Sequence, residues 1–447
     1  MRIIIAGAGD VGKHLAKLLA YENQDIVIID LNQERLRQLG SHLDVSTIRG
    51  NATSFRVLKD ANVEAADLLI AVTASEEVNL ATAVISKRLG AKKTVARISN
   101  EEYLMSRNTL DLTTIGIDEL ISPESLAARE IRRLLRIAAV TDTFEFDQGL
   151  LSLIGITLDK DSPLINRSLA ETSTKLNPDN NFVTVAILRE GHTIIPRGDT
   201  RLCPDDHVYF IAHPNGIDWV LELTGKKKID IKNIMILGGS KVAYHTARKL
   251  SNSYNVKLIE RNRDKCFELA DQLPESLIIN GDGRDVDILE EEGVGKMDAF
   301  LALTGDSETN IISCLVAKDK GVKKTIALVE NIDYIHLSQN IGVDTMINKK
   351  LIAANFIFRY IRKGDVVSIT GIHGVEAEIL EYVVKDDCRI ANKQLKELAF
   401  PKDAVIGGVV RQGKGEIAMG NFTFKPHDRV VVLSKKESLS EVEIFFK

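Results

Sequence analysis

Near the start of the chain, Gly7-Ala8-Gly9-Asp10-Val11-Gly12 has the residue types and spacing that receive a pyrophosphate. Gly7 permits a tight turn. Gly9 puts no side chain between backbone and phosphate, and Gly12 lets a following helix pack close to a strand. The helix N-terminus would offer N–H groups and partial positive charge to an anion. Asp30 ends the next apolar run, where a carboxylate accepts from both hydroxyls of an adenosine ribose and repels a 2′-phosphate. The implied ligand is NAD(H) rather than NADP. Further candidates are Asn51 and Ala52 in a glycine turn, Thr73, Ala74 and Asn79 in the segment TASEEVN, and Arg97. A guanidinium at Arg97 would pair with extra phosphate charge. The plain alternative for Arg97 is a surface ion pair.

Chemistry of this kind needs strands that end together. Ile3–Ile5, Asp25–Ile29, Val45–Arg49, Asp67–Val72, Thr94–Ile98 and Glu119–Ile121 read as six buried strands. Helical stripes lie between them, the first carrying Val11, Leu15, Leu18 and Leu19. Helices are also expected at Asn32–Gly40, Ser54–Ala61, Leu80–Leu89 and near Glu101–Asn108. Glu77 and Asn79 are expected at a helix N-terminus, as acid and polar cap. Strands alternating with helices argue for an α/β, doubly wound parallel sheet, whose ligands sit outside the carboxyl ends of the strands. Ser122-Pro123 then opens a helix, Glu124–Ile137, that leaves the sheet and is expected to serve as an interdomain or intersubunit element. Short strands at Thr143–Phe146, Leu150–Thr157, Val183–Leu188 and Val208–Ile211 suggest a small α+β module of roughly 80 residues.

The chain then begins again. Gly238-Gly239-Ser240-Lys241-Val242-Ala243 repeats the glycine turn. Gly7 and Gly238, Gly50 and Gly281, Thr73 and Thr304, and Asn79 and Asn310 each lie 231 residues apart, and Asp30 and Glu260 lie 230 apart. The small modules repeat too. Arg189 matches Arg411, and Asp206 matches Asp428, each 222 residues on. One offset shared by such distant motifs indicates duplication. The second copy has changed. Ser240 stands where Gly9 was, Asp282 where Asn51 was, and nothing matches Arg97. The second pocket, Gly238, Gly239, Ser240, Lys241, Val242, Glu260, Gly281, Asp282 and Thr304, therefore has two open readings: a nucleotide site, or a scaffold with a weakened pocket.

The 447 residues suffice for two to four domains, and 44% hydrophobic with 27% charged residues allows an ordinary core. The net charge of −5 gives no electrostatic case for nucleic acid. The cluster Lys226–Lys228 reads as a solvated linker face. Cys203, Cys266, Cys314 and Cys388 form no CxxC, so reduced thiols in the cytosol are expected. A first strand at residue 2 leaves no room for a signal peptide, and no apolar run is long enough to span a membrane.

Two nucleotide-binding lobes, each followed by a small lobe, resemble the RCK (KTN) family that regulates potassium channels and transporters. The motifs that carry this are GAGDVG with Asp30, GNAT, TASEEVN, VARI, and GGSKVA, LIER, GDG and TGDSETN in the second half. The resemblance covers essentially the whole chain. It implies Rossmann-like N-lobes at 1–138 and 230–364 and α+β C-lobes at 139–225 and 365–447. It further implies NAD(H) or ATP/ADP at the sheet edge, no catalysis, and a homo-oligomeric ring, dimer or tetramer. That ring would dock at the inner face of the cell membrane on a Trk-type potassium transporter subunit, from the cytoplasm. Leu351–Ile361 then becomes a crossover helix at the ring's dimer interface, beside the plain reading of a helix packed on its own domain.

The main rival is an NAD-dependent oxidoreductase. It would need a proton-transfer group, and the nine histidines show no catalytic arrangement. His192, His207 and His213 read as surface or turn residues. A redox-sensing transcription factor would need a helix-turn-helix and a basic face, and neither is evident.

Overall fold

The apolar runs assemble into four sheets. The computed structural model describes residues 1–20, 24–100, 102–105, 111–136, 142–177, 179–226, 230–331, 334, 341–361, 366–371 and 375–447. The lobe boundaries expected at 138/139 and 364/365 lie outside the described residues, as do Ile137, Lys227, Lys228 and Glu101 and Ser106–Asn108 of an expected helix.

The first sheet comprises β1 (Arg2–Ala6), β2 (Asp25–Asp30), β3 (Ser46–Arg49), β4 (Leu68–Ala71), β5 (Lys93–Arg97) and β6 (Glu119–Ile121). It is parallel, in the order β3-β2-β1-β4-β5-β6. The order reverses beside β1, which opens the crevice where such sheets bind ligands. The second sheet is antiparallel: β7 (Asp142–Phe146), β8 (Leu151–Thr157), β9 (Phe182–Arg189), β10 (His192–Ile194) and β11 (His207–Ala212), in the order β10-β9-β11-β8-β7. The second half repeats both. Strands β12 (Asn233–Leu237), β13 (Asn255–Glu260), β14 (Ser276–Asn280), β15 (Ala299–Ala302), β16 (Lys324–Leu328) and β17 (Thr345–Ile347) form the parallel sheet β14-β13-β12-β15-β16-β17. Strands β18 (Val366–Gly371), β19 (Ala377–Val383), β20 (Ala404–Arg411), β21 (Lys414–Glu416) and β22 (Arg429–Lys435) form the antiparallel one, β18-β19-β22-β20-β21.

The repeated sequence motifs in the small lobes have a physical cause. Arg189 forks onto Asp206 at 2.7 and 2.8 Å, and Arg411 onto Asp428 at 2.7 and 2.6 Å. Both aspartates are buried, and a buried carboxylate without such a partner would be strongly destabilising. His207 is not a surface residue, as its type suggested. It is buried in β11 with its Nδ1 2.8 Å from the Thr157 hydroxyl, because alternate positions of that strand all face protein.

Two helices join the halves. Pro123–Arg136 carries the buried stripe Ala127, Ile131, Leu134 and Leu135, which packs on Val242, Ala243 and Ala247 of the other repeat's helix Lys241–Leu250. In exchange, Ala353, Ala354 and Ile357 of helix Lys349–Ile361 pack against Leu15, Ala16 and Leu19 of helix Asp10–Ala20. The helix at Leu351–Ile361 is thus an interface element between two repeats of one chain. The small lobes also pair. Arg197 donates to the carbonyls of Pro401 and Lys402 at 2.9 and 2.7 Å, and Arg429 pairs with Asp147. Among the described residues no helix is long and apolar enough to cross a membrane, and the four cysteines are free thiols.

This exchange makes a prediction. Ile357→Ala removes a fully buried side chain and should cost about 2–5 kcal/mol. Hydrogen exchange should quicken in helix Asp10–Ala20 as well as around Ile357. Unchanged protection of the first-repeat helix would contradict the exchanged packing.

Candidate functional site

The first pocket, a cleft of about 610 Å³, lies at the carboxyl edge of the first sheet. Of the residues expected there, Gly7, Gly9, Asp10, Val11, Asp30, Asn51, Ala52, Thr73, Ala74 and Arg97 line it. Gly7 has φ +116°, and an added Cβ would lie 2.9 Å from the Val72 carbonyl, so only glycine fits that turn. Gly9 has nothing within 4 Å of an added Cβ and faces open space. Asp30 works from below. Its Oδ2 accepts from Ala8 N at 2.6 Å and its Oδ1 from Asn32 N at 2.7 Å, which fixes the glycine loop while lone pairs remain for a ribose.

Ala8, Gly12 and Asn79 do not line the cleft. Ala8 is the buried donor to Asp30. Gly12 packs against the turn, where a Cβ would collide with the Gly7 carbonyl oxygen. Asn79 is no cap; Ser75 caps helix Glu76–Leu89 through Val78 N. Instead Asn79, 1% exposed, accepts from Thr73 N and Oγ1 at 2.8 and 2.7 Å and donates to the carbonyls of Thr73 and Arg97 at 3.2 and 2.9 Å. It positions the loops of two strands.

Other lining residues come from further away. Pro123, Lys349 and Lys350 face the same cleft, with Arg35 and Ser75. Lys350 Nζ lies 2.6 Å from Asp10 Oδ2 and 2.5 Å from Glu330 Oε2. Lys350 holds the Asp10 carboxyl below its ordinary range. Burial works against ionising Glu330, but Lys350 and Lys349 outweigh it and hold its carboxyl low as well. Arg97 pairs with buried Glu124, at a loose 3.9 Å. The two lysines were not identifiable from the motif, because they begin the exchanged helix and reach the cleft only through the tertiary packing of the other repeat.

The second pocket also measures about 610 Å³, lined by Gly238, Gly239, Ser240, Glu260, Gly281, Asp282 and Thr304 as expected. Lys241 and Val242 are not in its lining. Glu260 repeats the role of Asp30, accepting from Gly239 N at 2.7 Å and Asn262 N at 2.8 Å. Asn310 repeats the Asn79 strut. Ser240 differs in kind. Its hydroxyl accepts from Ala243 N at 3.2 Å and donates to the Leu303 carbonyl at 2.6 Å, so it caps the helix and takes a donor that an anion would otherwise use. Arg284, Arg261 and Lys265 also face this cleft and were not foreseen. Arg284 grips Asp282 at 2.6 Å, which pulls that carboxyl down to about 2.

Comparison with known proteins agrees with this architecture. The TrkA-N domain matches residues 3–123 and 234–349, and the TrkA-C domain matches 153–225 and 379–447. The chain belongs to the TrkA family. Among its relatives, a Trk system potassium uptake protein TrkA homolog of Archaeoglobus fulgidus is 35% identical over 448 residues, covering 100% of both chains. The Trk system potassium uptake protein TrkA of Vibrio alginolyticus is 33% identical over 453 residues, covering 100% of this chain and 99% of the relative. In fold this TrkA-family chain is similar to the GsuK RCK domain, with TM-score 0.60 at 15% identity over 99% of this chain and 94% of that one. The GsuK channel bound to NAD aligns with TM-score 0.62 at 15% identity, covering 100% of this chain and 78% of that chain.

The contrast between Gly9 and Ser240 is testable. Gly9→Ser should leave the unfolding free energy within about 0.5 kcal/mol of wild type, because the new side chain meets nothing and can cap the helix. It should weaken anion binding at the first pocket about tenfold, the loss of one charge-assisted hydrogen bond. Ser240→Gly should strengthen the second site. Calorimetry with ADP on both variants checks the pair, and equal affinity in Gly9→Ser and wild type would refute the assignment.

Proposed function

We propose that this chain is a nucleotide-sensing regulatory subunit of a potassium uptake system of the Trk type. It would bind NAD(H) or ATP/ADP and dock from the cytoplasm on a membrane-embedded transporter subunit. The observation that carries this reading is similarity along the whole length to proteins named Trk system potassium uptake protein TrkA. The clefts add a physical argument. Their groups bind: backbone donors at a helix N-terminus, a carboxylate for a ribose, and cations for phosphate. The proposed lobes run 1–138, 139–225, 230–364 and 365–447, each enclosing one sheet. Gly7, Gly9, Asp10, Val11, Asp30, Asn51, Ala52, Thr73, Ala74 and Arg97 are the proposed contacts in the first pocket. Gly238, Gly239, Ser240, Glu260, Gly281, Asp282 and Thr304 are those in the second.

Such a subunit acts by differential affinity. A ligand shifts the arrangement of lobes only as far as it binds one arrangement better than another. The exchanged helices supply the lever, since each repeat's glycine helix is packed on the other repeat's crossover helix.

Calorimetry with NAD, NADH, ATP and ADP on wild type, Asp30→Ala and Ser240→Gly tests the reading. Asp30→Ala should abolish the tightest site, and unchanged stoichiometry would refute it. Steady NADH oxidation by the purified chain with any small substrate would favour the oxidoreductase reading instead.

A further inference from the structure

The two pockets match in volume but not in where their cations come from. Every residue lining the second pocket belongs to the second repeat. The first pocket is lined by Lys349 and Lys350 of the other repeat as well as by its own Arg35 and Arg97. These lysines begin helix Lys349–Ile361; the helix that begins at the matching point of the first repeat starts with Pro123 and Glu124. No cation crosses in the reverse direction among the described lining residues.

Lys349, Lys350 and Arg97 are held by three carboxylates. Lys350 sits between Asp10 of the first repeat and Glu330 of the second, at 2.6 and 2.5 Å. Lys349 reaches Glu330 at 3.4 Å and Glu124 at 3.9 Å, and Arg97 reaches the same Glu124 oxygen at 3.9 Å. The other oxygen of Glu124 is buried without a hydrogen-bond partner. Pairs as long as 3.9 Å are outside hydrogen-bond range, so Arg97 and Lys349 keep donors to spare. Asp30 marks the ribose end of the cleft and the glycine turn its pyrophosphate. Lys350 contacts Asp10 beside that turn, within reach of a phosphate that extends past the pyrophosphate.

We infer that the first pocket is a composite site in which Lys350, assisted by Lys349, reads the terminal phosphate of a nucleoside polyphosphate across the junction between the repeats. This rests on the nucleotide site proposed above. The phosphate competes with Asp10 and Glu330 for Lys350. A polyphosphate thereby replaces one carboxylate–lysine tie between the repeats with a doubly charged clamp, and an adenosine cannot. The site discriminates by phosphate number, and the discriminating groups belong to the repeat that does not hold the base.

Calorimetry on the full chain, with adenosine, ADP, ATP and NAD as probes, tests this through two variants of opposite sign. Lys350→Gln should weaken ATP at one site per chain by at least about tenfold, the worth of a lost charge-assisted bond. Adenosine affinity should stay within about twofold, since its contacts lie elsewhere in the cleft. Glu330→Gln releases Lys350 and should tighten ATP about threefold or more at the same site. ATP affinity unchanged in Lys350→Gln, or ATP and adenosine weakened alike, overturns the composite site while leaving the nucleotide pocket standing. Wild type that binds none of the four probes overturns the pocket itself. A purely structural role for the network predicts that both variants weaken every probe.

Discussion

The exchange of two helices is the constraint on which the rest of the molecule depends. Each crossover helix has a stripe of Ala, Ile and Leu or Phe side chains that its own sheet does not cover, and burial of such a stripe is the main source of stability for a helix of this length. The partner surface is the glycine-turn helix of the other repeat. One buried cluster therefore contains Leu15 beside Ile357, and another Ile131 beside Ala243. Neither repeat completes its core without the other. Because the glycine turns stand at the N-termini of these same helices, the joint between repeats and the mouths of the pockets are one piece of structure.

Within that frame the two pockets solve one geometric problem with different chemistry. An acid at the end of the second strand of each sheet holds the glycine turn through the same backbone donor, although Glu260 is one methylene longer than Asp30. The helix that follows is open at Gly9 and capped at Ser240. A capped N-terminus is more stable and less attractive to an anion, since the hydroxyl already satisfies one N–H. The second cleft also keeps a guanidinium committed to Asp282, whereas the first keeps its cations at the interface.

Much of this was legible in the sequence. The strands of the first sheet were expected to within two residues at each end, because an apolar run between turn residues admits few other structures. The duplication was visible because Asn79 and Asn310, or Asp206 and Asp428, are each buried and tied by hydrogen bonds to matching partners in the two repeats. What escaped were the features fixed by three-dimensional neighbours. Asn79 looked like a cap because it follows Ser75 and two glutamates, yet the cap was Ser75 and the amide turned inward. Lys349 and Lys350 had no local pattern, and only the exchanged packing brings them to the first cleft. His207 looked like a turn residue, but a strand buried on both faces enclosed it.

The two asparagine struts bear on what a ligand has to do on arrival. Each amide satisfies backbone groups of two strand ends at once, Thr73 with Arg97 and Thr304 with Leu328. The floor of each pocket is therefore held by hydrogen bonds of the chain itself. Ordering a loop costs roughly 1–2 kcal/mol per residue in backbone entropy, and here no such cost falls on binding at the floor. In the proposed regulator, binding free energy that would otherwise order the site is left to move one repeat against the other.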